Sequence, residues 1–210
     1  MTDHVYLWMD LQLSSHDDLS EKTKVQVLEL AAFMTDSRMN VLTRFTTPIL
    51  ETGSHPGTVR LETNPKLRAG YDQAGLWDAM SDGMAVASAD IFLRDAITTA
   101  YEDYDLADDV LLTVVCRRAH LTSQIIKRDM PSLLRRISID FIDVDTIKTF
   151  FETFMDHALT NEEFDFLFRP NTYDAEKNVH SNMEAISLIL TKLPSTGMPE
   201  LVSRKGRRSL

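Results

Sequence analysis

The sequence predicts an α/β fold in which a mixed five-stranded sheet carries helices on its faces. Three observations predict it. Short, β-rich apolar runs open the chain, segments at helical spacing alternate with short β-branched runs through its second half, and no internal repeat or low-complexity stretch interrupts the pattern.

Residues 4–10, HVYLWMD, and 25–36, VQVLELAAFMTD, read as strands, and SRMN turns the chain into a third, VLTRFTTPIL at 41–50. These three are expected to be antiparallel. From Glu51 to Gly70 the chain collects Gly53, Pro56, Gly57, Pro65 and Gly70 among polar residues, so an irregular excursion is expected there, followed by a short helix over DQAGLWDAMSD at 72–82.

Ser88 is expected to cap a helix reaching Tyr104, because Ile91, Phe92, Asp95, Ala96, Thr99 and Ala100 recur at helical spacing behind it. VLLTVV at 110–115 is too short and too β-branched for a helix and reads as a buried strand. LTSQIIKRDM (121–130) is helical, SIDFIDV (138–144) is a strand, and DTIKTFFETFMDHAL (145–159) is a helix whose Ile147, Phe150, Phe151 and Phe154 share a face. A closing helix, VHSNMEAISLILTKL (179–193), ends before Pro194.

A chain of 210 residues with 43% hydrophobic and 8% aromatic content can bury one core. One domain over 1–194 is expected, with residues 195–210 as a basic, disordered tail. No apolar run approaches the roughly 20 residues that cross a bilayer, and no secretory signal opens the chain. A cytoplasmic protein is expected, without membrane contact. The single cysteine, Cys116, ends the apolar run VLLTVVC; it fits a reducing compartment and an inert packing role.

The formal charge is −10, and Arg204, Lys205, Arg207 and Arg208 hold four of the 22 cations, so residues 1–203 carry about −14. Such a body repels phosphate backbones, and direct nucleic-acid binding by it is not expected. Acidity can serve solubility alone, or it can match a basic protein surface. Two acidic clusters stand out: Glu102, Asp103, Asp105, Asp108 and Asp109 at the exit of a helix, and Glu162, Glu163 and Asp165 at the start of another. Each reads either as a solvated face or as a surface that docks on an Arg/Lys-rich partner.

VYLWMDLQLSS followed by VLELAAFMTDSRMNVL resembles the opening of oligoribonuclease, a DEDDh 3′→5′ exonuclease. QAGLWDAM, KRDMPSLL, FIDVDTIKTF and NVHSNMEAISLIL resemble later segments of that family in order, covering most of residues 5–193. The resemblance implies a ribonuclease-H-like exonuclease fold, a homodimer, and hydrolysis by two divalent ions, Mg or Mn, held by four carboxylates.

The same resemblance places the family's first Asp at Asp10, but its partner Glu falls on Gln12 and the second Asp falls near Thr122, with Leu121, His120 or Ser123 beside it. His180 stands in the place of the general base, and the Asp five residues later is Ala185. Glu184 is a possible substitute, although it lies roughly 100° around the helix. One carboxylate of four is too few for two divalent ions, so the resemblance implies a pseudoenzyme in which Asp10, Gln12 and His180 are vestigial and no cofactor is expected.

The bland reading of Asp10 is a strand-end residue bonded to nearby backbone, and of His180 a helix residue facing solvent. No Gly-rich phosphate loop, CxxC, HExxH or nucleophile elbow supplies other chemistry. The leading expectation is therefore a non-catalytic homodimer that binds a basic ribonuclease or other RNA-binding protein and inhibits RNA degradation or processing. It is similar in kind to viral inhibitors of the host's RNA-degradation assembly, such as the degradosome-binding proteins of giant phages, which would place it in host cytoplasm. The apolar helix 145–157 with EEFDFLF after it could supply the dimer interface. The alternative is a weak metal-dependent 3′→5′ exoribonuclease acting on short oligonucleotides. RNA binding through the basic tail alone is a third possibility.

Overall fold

The structure is a computed structural model that describes residues 4–15, 25–107, 110–155, 159–169 and 172–192, without the side chains at 139, 154 and 155. Asp108, Asp109 and the tail 195–210 lie outside the described residues.

Five strands form one sheet: β1 (Tyr6–Leu13), β2 (Val27–Thr35), β3 (Val41–Pro48), β4 (Leu112–Cys116) and β5 (Ile137–Asp143), in the order β3-β2-β1-β4-β5. The first three pair antiparallel, while β4 pairs parallel with both β1 and β5. This is the mixed five-stranded sheet expected, with the same antiparallel opening.

Alternation along the strands sends side chains to two faces. Leu7, Met9, Leu30, Ala32 and Met34 enter a large core, together with Leu93 and Ile97 of α4 (Val86–Asp103) and Ile125 and Ile126 of α5 (Ala119–Asp129). Trp8, Ala31, Phe33 and Val115 face the other way, onto Ala175, Val179 and Met183 of α9 (Ala175–Lys192). Asp10 and Gln12 belong by parity to this second face, where apolar packing gives way to polar side chains. Cys116 is buried, and burial pushes its thiol up to about 12, consistent with an inert packing role.

The stretch 51–70, expected to be irregular, instead holds α1 (Pro56–Glu62) and most of α2 (Pro65–Ala74). Each proline occupies the first turn, where its missing N–H costs nothing, and the residues before them, His55 and Asn64, accept hydrogen bonds from Gly57 N and Lys66 N. The expected helix 72–82 is split: Gly75, at φ 74°, ends α2, and α3 (Leu76–Ala79) leads into a single 3-10 turn at Met80–Asp82.

The helix expected to start at Ser88 starts at Val86, with Ala85 as its cap and no side-chain capping bond. Glu51 Oε1 accepts from Val86 N at 3.3 Å instead. The short α6 (Pro131–Leu134) was not expected; its Ser132 and Leu133 N–H groups are held by buried Asp90 at 2.8 Å each.

In α7 (Val144–Met155) Phe151 is buried but Phe150 is 56% exposed, so the four apolar residues do not share one buried face. The segment EEFDFLF lies in α8 (Asn161–Leu167) and the residue after it; Leu167 packs with Phe151, Ala185 and Ile189. Much of the apolar surface that suggested a dimer is therefore covered within the chain. No helix among the described residues is long and apolar enough to cross a membrane.

Candidate functional site

In an open sheet the strand ends beside the point where connection direction reverses form a natural crevice. Here β1 is that strand, flanked by antiparallel β2 and parallel β4, and a cavity of about 210 Å³ opens beside its C-terminal half. Asp10, Gln12, Arg117, Arg118, Thr122 and Tyr173 line it, with Leu11, Leu13, Leu121 and Thr172.

Asp10 is 8% exposed, and its carboxylate is met by amides. Gln12 Nε2 donates to Oδ2 at 3.0 Å, and Asn178 Nδ2 donates to the same oxygen at 2.9 Å. Burial pushes the Asp10 pKa up to about 6, against the lowering effects of the Asn178 hydrogen bond and of Arg117 and Arg118. The amide of Gln12 is in turn held at its oxygen by Tyr71, whose hydroxyl donates at 3.3 Å and also bonds Leu13 O at 2.9 Å.

Asn178 is fixed as firmly. Its Oδ1 accepts from Thr172 N at 2.8 Å and Thr172 Oγ1 at 2.9 Å, and its Nδ2 also donates to Thr172 O at 2.9 Å. A second buried acid holds the start of the same helix: Glu29, opposite Gln12 on β2, accepts from Ala175 N at 2.8 Å. Burial pushes Glu29 up to about 7, partly offset by that backbone hydrogen bond.

The structure places Asp10, Gln12 and Thr122 around one cavity, and Thr122 is 6% exposed there. It does not bring His180, Glu184 or Ala185 to it. His180 is exposed and stands edge-on to the Phe33 ring, with centroids 4.8 Å apart. Glu184 is exposed, so it does not substitute for a missing ligand, and Ala185 is buried with Phe151, Leu167 and Ile189.

The residue of α9 that reaches Asp10 is Asn178, and five residues before it stands Tyr173, on the cavity wall. Tyr173 and Asn178 stand at the same five-residue spacing as His180 and Ala185, the pair that the resemblance singled out. The face of α9 that docks on the sheet carries Asn178, in a turn ahead of the expected start at Val179: α9 begins at Ala175, with Asp174 Oδ1 accepting from Lys177 N at 3.0 Å. An Asp followed by Ala-Glu is a helix-start signal in the sequence and could have located it.

The residues around the cavity do not fit a pair of divalent ions. Among the described lining residues Asp10 supplies the one carboxylate, and its Oδ2 already accepts from two amides. No group of three or more His, Cys, Asp or Glu among the described residues converges as a ligand set. Two guanidinium groups share the wall instead, Arg117 held by Asp145 at 2.6 Å.

The cavity is closed on one side by a tight contact. A Cβ on Gly70 would lie 2.1 Å from Cε2 of Tyr173, and the Tyr173 ring stands edge-on to Tyr71 at 5.2 Å. Gly70→Ala is expected to displace Tyr173 and cost about 1–3 kcal/mol, measured by urea unfolding. An unchanged unfolding midpoint would show that the ring moves freely.

Of the acidic candidates, Glu102, Asp103, Asp105, Glu162 and Asp165 are exposed. Glu163 is engaged within the chain: it accepts from Thr160 N at 2.9 Å in a capping box and pairs with Lys192 at 2.7 Å.

No family model matches the sequence, and no curated protein matches it. Solved structures match in fold. The nuclease domain of 3′hExo, a DEDDh family member, bound to rAMP, aligns with a TM-score of 0.54 at 7% identity, over 90% of this chain and 92% of that one. A full-length 3′-exonuclease aligns with a TM-score of 0.56 at 7% identity, over 91% of this chain and 62% of that chain. A 3′-exonuclease described in 3′-end specific recognition of a histone mRNA stem-loop gives 0.57, also at 7% identity, over 91% and 83%. At such identity the likeness speaks for architecture, and the architecture is that of the DEDDh exonucleases.

Proposed function

We propose that this protein has a DEDDh exonuclease fold without the hydrolytic reaction, and that it acts by binding. Its exposed acids, Glu102, Asp103, Asp105, Glu162 and Asp165, would dock on the basic surface of a ribonuclease or other RNA-binding protein and so inhibit RNA degradation or processing. The observation that carries the first part is the Asp10 carboxylate, bonded by the amides of Gln12 and Asn178 where a reaction through two metals would need anionic oxygens. A body carrying about −14 over residues 1–203 supports the second part, since it favours cationic protein over nucleic acid. A homodimer, with the exposed Phe150 at its interface, belongs to the same reading.

Calorimetric titration of the full chain with Mn²⁺ and Mg²⁺, run beside an assay of 5′-labelled dinucleotides, tests the loss of catalysis. The expected result is no saturable heat and no turnover. Metal-dependent cleavage abolished by Asp10→Ala would establish the weak exonuclease instead. The binding part is tested by pull-down with tagged protein, expecting an RNA-binding or ribonuclease partner that is lost when Glu102, Asp103 and Asp105 are changed to lysine. Recovery of no such partner would remove it.

A further inference from the structure

Thr172 and Tyr173, both on the cavity wall, form a short strap that enters α9 through Asp174. Among the described residues no backbone–backbone hydrogen bond holds Thr172 or Tyr173. Side chains hold Thr172 instead. Asn178 Oδ1 accepts from its N–H at 2.8 Å and from its hydroxyl at 2.9 Å, a hydroxyl shared with Asp174 O at 3.1 Å. Asn178 Nδ2 donates to the Thr172 carbonyl oxygen at 2.9 Å, and Gln12 Nε2 donates to the same oxygen over a longer 3.4 Å.

The same two amide nitrogens donate to Asp10 Oδ2, at 2.9 Å from Asn178 and 3.0 Å from Gln12. A side-chain amide nitrogen has two N–H groups, so the Asp10 oxygen and the Thr172 carbonyl are bridged twice. Turning the Asn178 amide over would set N–H against N–H and oxygen against oxygen, which fixes its orientation. One half of this clamp is buried, with Asn178 at 2% and Gln12 at 6% exposure, whereas Thr172 and Tyr173 are exposed. Water can therefore take over the bonds of Thr172 when the strap lifts. The Tyr173 ring is seated on Gly70 and stands edge-on to Tyr71, whose hydroxyl supports the Gln12 amide, so ring and amides are two ends of one network.

We propose that Thr172 and Tyr173 are a latch on the cavity, opening as a unit about Asp174 when Thr172 leaves the two amides and the Tyr173 ring leaves Gly70. Asp174 stays with α9, since its Oδ1 accepts from Lys177 N at 3.0 Å and its carbonyl oxygen from Asn178 N at 3.1 Å. Opening leaves β1, α2 and α9 in place, which makes it a local event rather than a loss of the fold. It admits a ligand larger than the closed cavity of about 210 Å³. The inference goes beyond the loss of catalysis, because it concerns entry to the cavity and needs neither metal nor partner.

Amide hydrogen exchange followed by NMR and limited proteolysis with chymotrypsin, both on the full chain in EDTA, test the latch. Exchange at Thr172 N reports the strap leaving Asn178. Chymotrypsin takes an aromatic ring into its own pocket, so a cut after Tyr173 reports the ring leaving Gly70. Val114, buried in β4 between β1 and β5, reports unfolding of the whole sheet. In the parent, Thr172 should open about tenfold or more as often as Val114, and cleavage after Tyr173 should outpace global unfolding. Asn178→Asp removes both N–H bridges and should raise Thr172 exchange and Tyr173 cleavage by the same factor, about tenfold or more, with a smaller change at Val114. Gly70→Ala pushes on the ring without touching the amides and should also raise both. The two variants act from opposite ends, so one decides if the other does not fold. Equal protection of Thr172 and Val114 in the parent, an equal gain at Thr172, Tyr173 and Val114 in the variants, or cleavage that rises while Thr172 exchange does not, would each overturn the latch.

Discussion

A variant carrying Gln12→Glu, Thr122→Asp and Asn178→Asp is expected to depend on a divalent cation for its stability. Gln12 and Asn178 now donate N–H to Asp10, and Thr122 lines the same cavity. The three changes would replace both donors with anions and add a third, leaving four carboxylates in one buried site. Without a cation their mutual repulsion and desolvation should cost about 3–5 kcal/mol, or roughly 10 °C in a chain of this size. Mn²⁺ at about 100 times its dissociation constant should return about 2.7 kcal/mol, while the parent protein should melt at the same temperature in Mn²⁺ and EDTA. Thermal denaturation under both conditions checks this. A triple variant indifferent to Mn²⁺ would mean that the cavity geometry, beyond its charge, has departed from a metal site.

The second large effect is an unusual pH dependence. A carboxyl whose pKa is raised by folding binds its proton more tightly in the folded state, so it stabilises at low pH and loses that stability as pH rises through the folded value. Asp10 moves from 3.8 to about 6, and Glu29 from 4.5 to about 7. Each should withdraw up to about 3 kcal/mol across its window, so urea unfolding should find less stability at pH 7.5 than at pH 5, both on the order of the window limits.

Other acids act in the opposite sense. Asp36, Asp72, Asp174 and Glu163 are held below their usual values, Asp72 and Glu163 chiefly by Arg60 and Lys192, and the stability they contribute is lost as pH falls. The optimum should therefore lie at about pH 4–4.5, around the unfolded-state values of these acids. Asp10→Asn and Glu29→Gln keep an acceptor oxygen at each position, and together they should flatten the fall between pH 5 and 7.5, on the order of the windows above. A slope as steep in this double variant as in the parent would place its origin in other groups.

The expected elements that matched were those whose signal is local. β1, β2 and β4 are apolar, β-rich runs ended by polar residues, and the order of the segments implied an antiparallel opening within a mixed five-stranded sheet. The elements that differed from expectation are short helices defined by capping: α1 and α2 begin at prolines that also read as loop punctuation. Asp10, Gln12 and Thr122, which the ordered resemblance singled out, line one cavity, since each sits on a strand or in the first turn of the helix that follows one.

The far end of the chain could not be read in the same way. On a helix each residue advances roughly 100°, so an error of one or two residues in which position faces the sheet exchanges the side chain that meets Asp10 for one facing solvent or another core. His180 and Asn178 are two positions apart, and packing against β1 and β2, with Glu29 at Ala175 N and Thr172 around the Asn178 amide, selects Asn178. The amino-acid pattern was enough to establish the mixed sheet and the net acidity of the chain. Which residue completes the site across 168 positions of chain depends on how helices dock on the sheet, because local preferences do not set that phase.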